Sequence, residues 1–122
     1  MCAKTGGGKS ASLSDQAITS CDTRNDGCSG GYPSTAMEQG GLCSLESYPY
    51  TDCKNIDVKI SEVVQVQASE QALIAAIQKS PVAVAVAAGN NAWKQYKSGV
   101  LSSCDTCQTD HGVLANGYTN DA

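Results

Sequence analysis

An α+β chain is what this sequence predicts, from three observations. Helix-start signals recur near residues 12–15, 33 and 69–71, each followed by residues suited to a short helix. Valine- and isoleucine-rich runs at 56–66 and 82–86 read as strands. Four of the seven cysteines sit with most of the turn residues in 12–53, which marks that stretch as loop-rich. With 122 residues, the chain has the size of one domain or a piece of one.

In chain order, residues 13–20 read as a helix with Ser12 or Ser14 as N-cap and Asp15 in its first turn, where a carboxylate favours the helix dipole. A second helix is expected to begin at Pro33, since a first helical position needs no N–H, and to stop at Gly40-Gly41. Residues 56–66 suit a strand. A third helix opens at Ser69-Glu70-Gln71, with Leu73, Ala76, Ile77 and Ser80 on one face, and Pro81 ends it because proline lacks the N–H of the next helical bond. Val82, Val84 and Val86 alternate with alanines, which predicts a strand apolar on both faces and therefore buried. An aromatic turn at 93–96 and a strand over 111–118 complete the series.

Charge and composition exclude several functions. Twelve Asp+Glu against eight Lys+Arg leave a net charge of −4, with no basic run to grip nucleic acid or an anionic membrane surface. The longest apolar stretch, 82–88, is far shorter than the roughly 20 residues a spanning helix needs. Seven cysteines in an acidic chain point to a secretory, lysosomal or extracellular setting, and the odd count leaves at least one unable to pair internally. The first residues lack the apolar core of a signal peptide, so Met1 is expected to be internal to a longer protein.

Two motifs fail on spacing or company. Gly6-Gly7-Gly8-Lys9-Ser10 lacks the earlier glycine of a phosphate loop, where Ala3 stands instead, and reads as a surface turn. Cys104-Asp105-Thr106-Cys107 with His111 offers three zinc ligands but no visible fourth, and lacks the βαβ setting of a redox C-x-x-C. A lone histidine is ordinarily structural. His111 differs in heading the apolar run Gly112-Val113-Leu114-Ala115, a rigid platform suited to a general base or to the partner of a thiolate.

Leu13-Ser14-Asp15-Gln16, Cys21-Asp22, Gly27-Cys28-Ser29-Gly30-Gly31-Tyr32-Pro33 and Tyr48-Pro49-Tyr50-Thr51 resemble, in identity and order, the papain-like cysteine peptidases. Pro81-Val82-Ala83-Val84-Ala85, Tyr96-Lys97-Ser98-Gly99-Val100 and Asp110-His111-Gly112-Val113-Leu114 continue the match, which spans roughly residues 10–118. The resemblance implies a two-lobe papain-like fold, incomplete at both ends, with about 1–55 in the helical lobe and about 56–122 in the β-rich lobe. It makes His111 the catalytic histidine. Gly30 and Gly31 become the ledge on which an extended substrate pairs as an added strand, and Tyr32 and Pro33 the lip of a hydrophobic pocket. Ala85 and Gly112 become its small, roomy walls, and Asp110 joins the substrate-binding set. A disulfide is implied between Cys21 and Cys53, whereas Cys28 and Cys104 would pair outside this chain. Cys43 and Cys107 depart from the family pattern, as does the polar Asn116.

The family's nucleophile lies in a C-G-[SA]-C-[WY] segment roughly 130–150 residues before the histidine. No such segment occurs in this chain, and Cys2-Ala3-Lys4-Thr5-Gly6 looks like the end of the helix that follows it. The expectation is therefore a fragment of a peptide-bond-hydrolysing endopeptidase, inactive alone and needing no cofactor or metal. Its partners would be protein or peptide substrates and an inhibitory propeptide, and its home a lysosome, food vacuole or the cell exterior. Two alternatives stand beside it: a catalytically inactive peptide-binding module of the same fold, and a Cys-rich zinc-binding domain.

Overall fold

The computed structural model describes residues 2–4, 10–38, 42–47 and 60–119. They fall into two units, Met1–Val64 and Gln65–Ala122.

In the first unit, strands β1 (Cys2–Lys4) and β2 (Ser10–Ser12) pair antiparallel, Cys2 opposite Ser12. The helix end anticipated at residues 2–6 is thus a strand over its described part; the local ladder, not the helical propensity of Ala3 and Lys4, prevails there. Helix α1 (Asp15–Cys21) starts on Ser14, whose fully buried hydroxyl accepts the Ala17 N–H at 3.2 Å. Ser14 N–H donates to Cys43 O and Leu45 N–H to Ser12 O, laying residues 42–45 alongside the entry to α1. The buried apolar residues described are few: Ala17 and Cys43 pack together with Cys21 beside them, and Ala36 is the third. Cys21 is disulfide-bonded. After a 3-10 turn at Gly27–Ser29, helix α2 (Pro33–Met37) begins on proline as its sequence predicts. Its described part ends at Glu38, whose N–H bonds Ser34 O; Gly40-Gly41 lie outside the described residues.

Residues 60–67 carry no strand, although their valines favour extended backbone. A strand needs a partner ladder as well as propensity, and without one Val64 remains 70% exposed. Residues 56–59 of the anticipated strand lie outside the described residues.

In the second unit, helix α3 (Glu70–Ile77) is capped by Ser69, whose hydroxyl accepts from Ala72 N–H at 3.2 Å. Leu73, Ala76 and Ile77 are half-buried on its inner face, while Ser80 lies beyond the last turn. Strand β3 (Val82–Val86) pairs antiparallel with β4 (His111–Ala115), in a register that sets Val86 opposite His111 and Val82 opposite Ala115. Helix α3 lies against β3, and Gln78 donates to the Tyr118 hydroxyl at 2.7 Å. β3 is not buried on both faces: its valines are half-buried, but Ala83 and Ala85 are exposed. Apolar alternation reports what each face tolerates, not what covers it. β4 ends at Ala115, three residues before the anticipated Tyr118, where the ladder partner β3 has run out. Short helix α4 (Asn91–Lys94) follows β3.

Candidate active site

The expected site residues form one cluster in each unit. In the first, Gly30, Gly31, Tyr32 and Pro33 line one side of a pocket of about 370 Å³, closed by Leu13, Ile18 and Ala36 among others. Tyr32 is 76% exposed, and Gly30 and Gly31 are exposed too. Gly30 has φ +115°, a conformation costly for any L side chain, and open space on the side where a Cβ would stand. At Gly30 an extended ligand backbone meets no side chain where a Cβ would stand.

A hydrogen-bonded relay shapes the ledge. The Asp22 carboxylate, its side chain 1% exposed, accepts the Arg24 backbone N–H at 3.0 Å and the Asn25 amide at 2.5 Å. Asn25 Oδ1 then accepts the Tyr32 N–H at 2.7 Å, spanning seven residues. A Cβ on Gly31 would collide with the Asn25 side chain, so Gly31 is required for this packing as well as for exposure. Arg24 donates to Thr35 O at the start of α2 and lies 3.7 Å from Glu38. Asp22 and Asn25 build this ledge without being among the site residues the sequence marks. Their signal is the Asp-x-x-Asn spacing inside a turn-rich segment, where side-chain amides and carboxylates bond nearby backbone.

In the second unit, Ala85 and Gly112 are directly opposed across the β3–β4 ladder, as are Val86 and His111. Side chains alternate along a strand, so Ala85 and Gly112 share the open face with Ala83 and Leu114, while His111 belongs to the opposite one. His111 is exposed at the first position of β4. Asp110 fixes that position: its N–H donates to Val86 O at 3.0 Å, and its carboxylate accepts the N–H groups of Ala88 and Gly89 at 2.7 and 2.9 Å. A Cβ on Gly89 would strike this carboxylate. Asp110 thus clamps the exit of β3 to the entry of β4, one residue before the histidine. Asn90, buried and equally unanticipated, accepts from Trp93 N–H at 2.9 Å and donates to Ala87 O at 2.6 Å and to Cys104 Sγ at 3.3 Å.

Cys104, Cys107 and His111 do not converge: among the described residues, no three His, Cys, Asp or Glu side chains could hold one ion. Cys104 Sγ is turned instead toward Thr106 O at 2.9 Å, and His111 is held in the ladder. Cys28 is free and exposed, while Cys53, the expected partner of Cys21, lies outside the described residues.

Comparison with known proteins adds the following. A model of the family described as papain family cysteine protease matches residues 1–122. The chain is 39% identical over 127 residues to "Probable cysteine protease RD21C" of Arabidopsis thaliana, an alignment covering 91% of this chain and 28% of that protein. The solved structure of the Carica candamarcensis cysteine protease CMS1MS2 in complex with E-64 is similar with a TM-score of 0.84 and 33% identity, over 96% of this chain and 61% of that one. The Amb a 11 cysteine protease, a ragweed pollen allergen solved in its proform, is similar with a TM-score of 0.70 and 29% identity, over 92% of this chain and 34% of that one. This chain therefore spans less than two thirds of each of these relatives.

Proposed function

The chain belongs to the papain family of cysteine proteases, and from that premise we propose that it is part of a cysteine-type endopeptidase to which it contributes the catalytic histidine and part of the substrate cleft. The observation that carries this reading is His111 at the head of β4, with Asp110 clamping the backbone beside it. In this reading the His111 imidazolium stabilises a thiolate supplied by a cysteine elsewhere in a longer protein, lowering that thiol's pKa. The thiolate adds to the peptide carbonyl, and His111 then gives its proton to the departing amine. In the first unit Gly30 and Gly31 offer backbone to an extended peptide and Tyr32 and Pro33 receive an apolar side chain; in the second, Ala85 and Gly112 offer a small, open apolar surface to substrate.

In this reading about residues 1–55 form part of the helical lobe and about 56–122 part of the β-rich lobe. The Carica relative was solved with an inhibitor and the ragweed relative as a proform, which supports peptide substrates and a propeptide as partners. A lysosomal, vacuolar or extracellular home fits the cysteine content.

The test uses the full-length protein that carries this chain and a peptide substrate with an apolar residue two before the cut. His111→Ala is expected to lower turnover by on the order of 10⁴ to 10⁶-fold. The 122-residue chain alone, which has no C-G-[SA]-C-[WY] segment, should not turn over. Unchanged turnover in His111→Ala, or turnover by the 122-residue chain that a thiol-directed epoxide blocks, would sink the assignment.

A further inference from the structure

Along the ledge from Gly30 to Tyr32, most of the backbone hydrogen-bonding capacity is already used. Gly30 N–H donates to Gly27 O at 3.3 Å, and Gly30 O accepts the Asp26 N–H at 3.0 Å. Tyr32 O accepts the Ala36 N–H at 3.3 Å. The Asn25 side chain engages both backbone groups of Tyr32: Oδ1 accepts its N–H at 2.7 Å, and Nδ2 donates to its carbonyl at 3.5 Å. Gly31 lies between them, and its N–H and C=O hold no partner among the described residues. Asn25 also fills the space where a Gly31 Cβ would stand, so it backs that residue from one side. The amide is held in this orientation. The buried Asp22 carboxylate accepts from Nδ2 at 2.5 Å, and a turned amide would set two acceptor oxygens against each other.

We propose that Asn25 is a positioning residue for substrate: by occupying the edge of Tyr32 and backing Gly31, it leaves one backbone pair open on the ledge and so fixes the register of a bound extended peptide. This role rests on the peptidase reading and adds to it the residue that sets where the added strand pairs. In a strand pair, one residue exchanges both its N–H and its C=O with the residue opposite. Gly31 offers such a pair, and Asn25 withdraws the one at Tyr32. With the Tyr32 groups released, a register one residue along would open. A slip of one residue turns every side chain to the other face, so the apolar side chain due at Tyr32 and Pro33 would point away from them. Asn25 touches no reacting atom in this reading. Its effect falls on the holding of the peptide, and therefore on KM more than on kcat.

The test uses the full-length protein that carries this chain, its concentration set by active-site titration with a thiol-directed epoxide so that misfolded protein does not count. Two substrates are compared. An acylated tripeptide amide with an apolar residue two before the cut reaches the ledge, and the ester of one acylated amino acid does not. Asn25→Ala should raise the tripeptide KM by on the order of three- to tenfold, the scale of one lost hydrogen bond, and the ester KM by clearly less. The kcat for either substrate should change by under about twofold. Asn25→Asp should raise the tripeptide KM as well, because its carboxylate faces that of Asp22. Adding Asp22→Asn restores a donor between the two side chains and keeps an acceptor for the Tyr32 N–H, so the double variant should bring the tripeptide KM back toward the unsubstituted value. With His111→Ala inactive in the same assay, three results would overturn the role of Asn25 and leave the peptidase reading standing: an unchanged tripeptide KM in Asn25→Ala, equal rises in both KM values, or a double variant no better than Asn25→Asp. Full turnover by His111→Ala would overturn both.

Discussion

At Asp22, a carboxylate almost wholly removed from water is satisfied by the Arg24 backbone and the Asn25 amide. Such a group is costly to disturb, because truncation leaves partly buried donors without the acceptor they had exchanged water for. Asp22→Ala is expected to destabilise the first unit by about 1–3 kcal/mol, read as a shift in the urea midpoint. A loss under about 0.5 kcal/mol, the scale of ordinary surface changes, would mean that the relay to Tyr32 contributes nothing net. The Arg24–Glu38 pair, half-exposed at 3.7 Å, should contribute little by comparison. His111, Gly30 and Gly31 stand as site candidates through the family strings around them. Asp22, Asn25, Asn90 and the clamping role of Asp110 were not legible in the sequence, since each acts on backbone whose course only folding establishes.

Helices α1 and α3 both start on serine, with the same 3.2 Å cap bond, but in different surroundings. Ser14 is fully buried and Ser69 is exposed. Water can replace the lost hydroxyl at Ser69 and cannot at Ser14. Ser14→Ala should therefore cost about 1–2 kcal/mol and Ser69→Ala about 0.5–1 kcal/mol. Parallel thermal melts followed by circular dichroism would compare them, and an equal or reversed order would contradict the burial argument. The starts of these helices were readable because a cap is a local arrangement of three or four residues. The strand anticipated at 56–66 was misread over 60–66 because a strand is never local: valines there are compatible with a ladder but do not create one.

At the scale of the whole chain, Cys21 is disulfide-bonded. If the family register holds, its partner is Cys53, and closing that loop restricts the unfolded chain by roughly 3–4 kcal/mol. Non-reducing peptide mapping of the oxidised chain should yield a dominant Cys21–Cys53 crosslink, whereas a dominant Cys21–Cys28 crosslink would show the first lobe to be misaligned. Apolar side chains such as Tyr32 and Val100 stand 76% and 80% exposed, while Ala17, Ala36 and Cys43 are the buried apolar residues described. Family, α+β class, helix starts and the catalytic candidate could be read from residue identity and order, because these depend on short strings and local hydrogen bonds. Which face of β3 stays open, how Ala85 meets Gly112, how Asp110 fastens the turn before His111, and that Cys104 faces Asn90 rather than a metal could not. Those are pairings between segments distant in sequence, and their register is set by the packing of the folded chain.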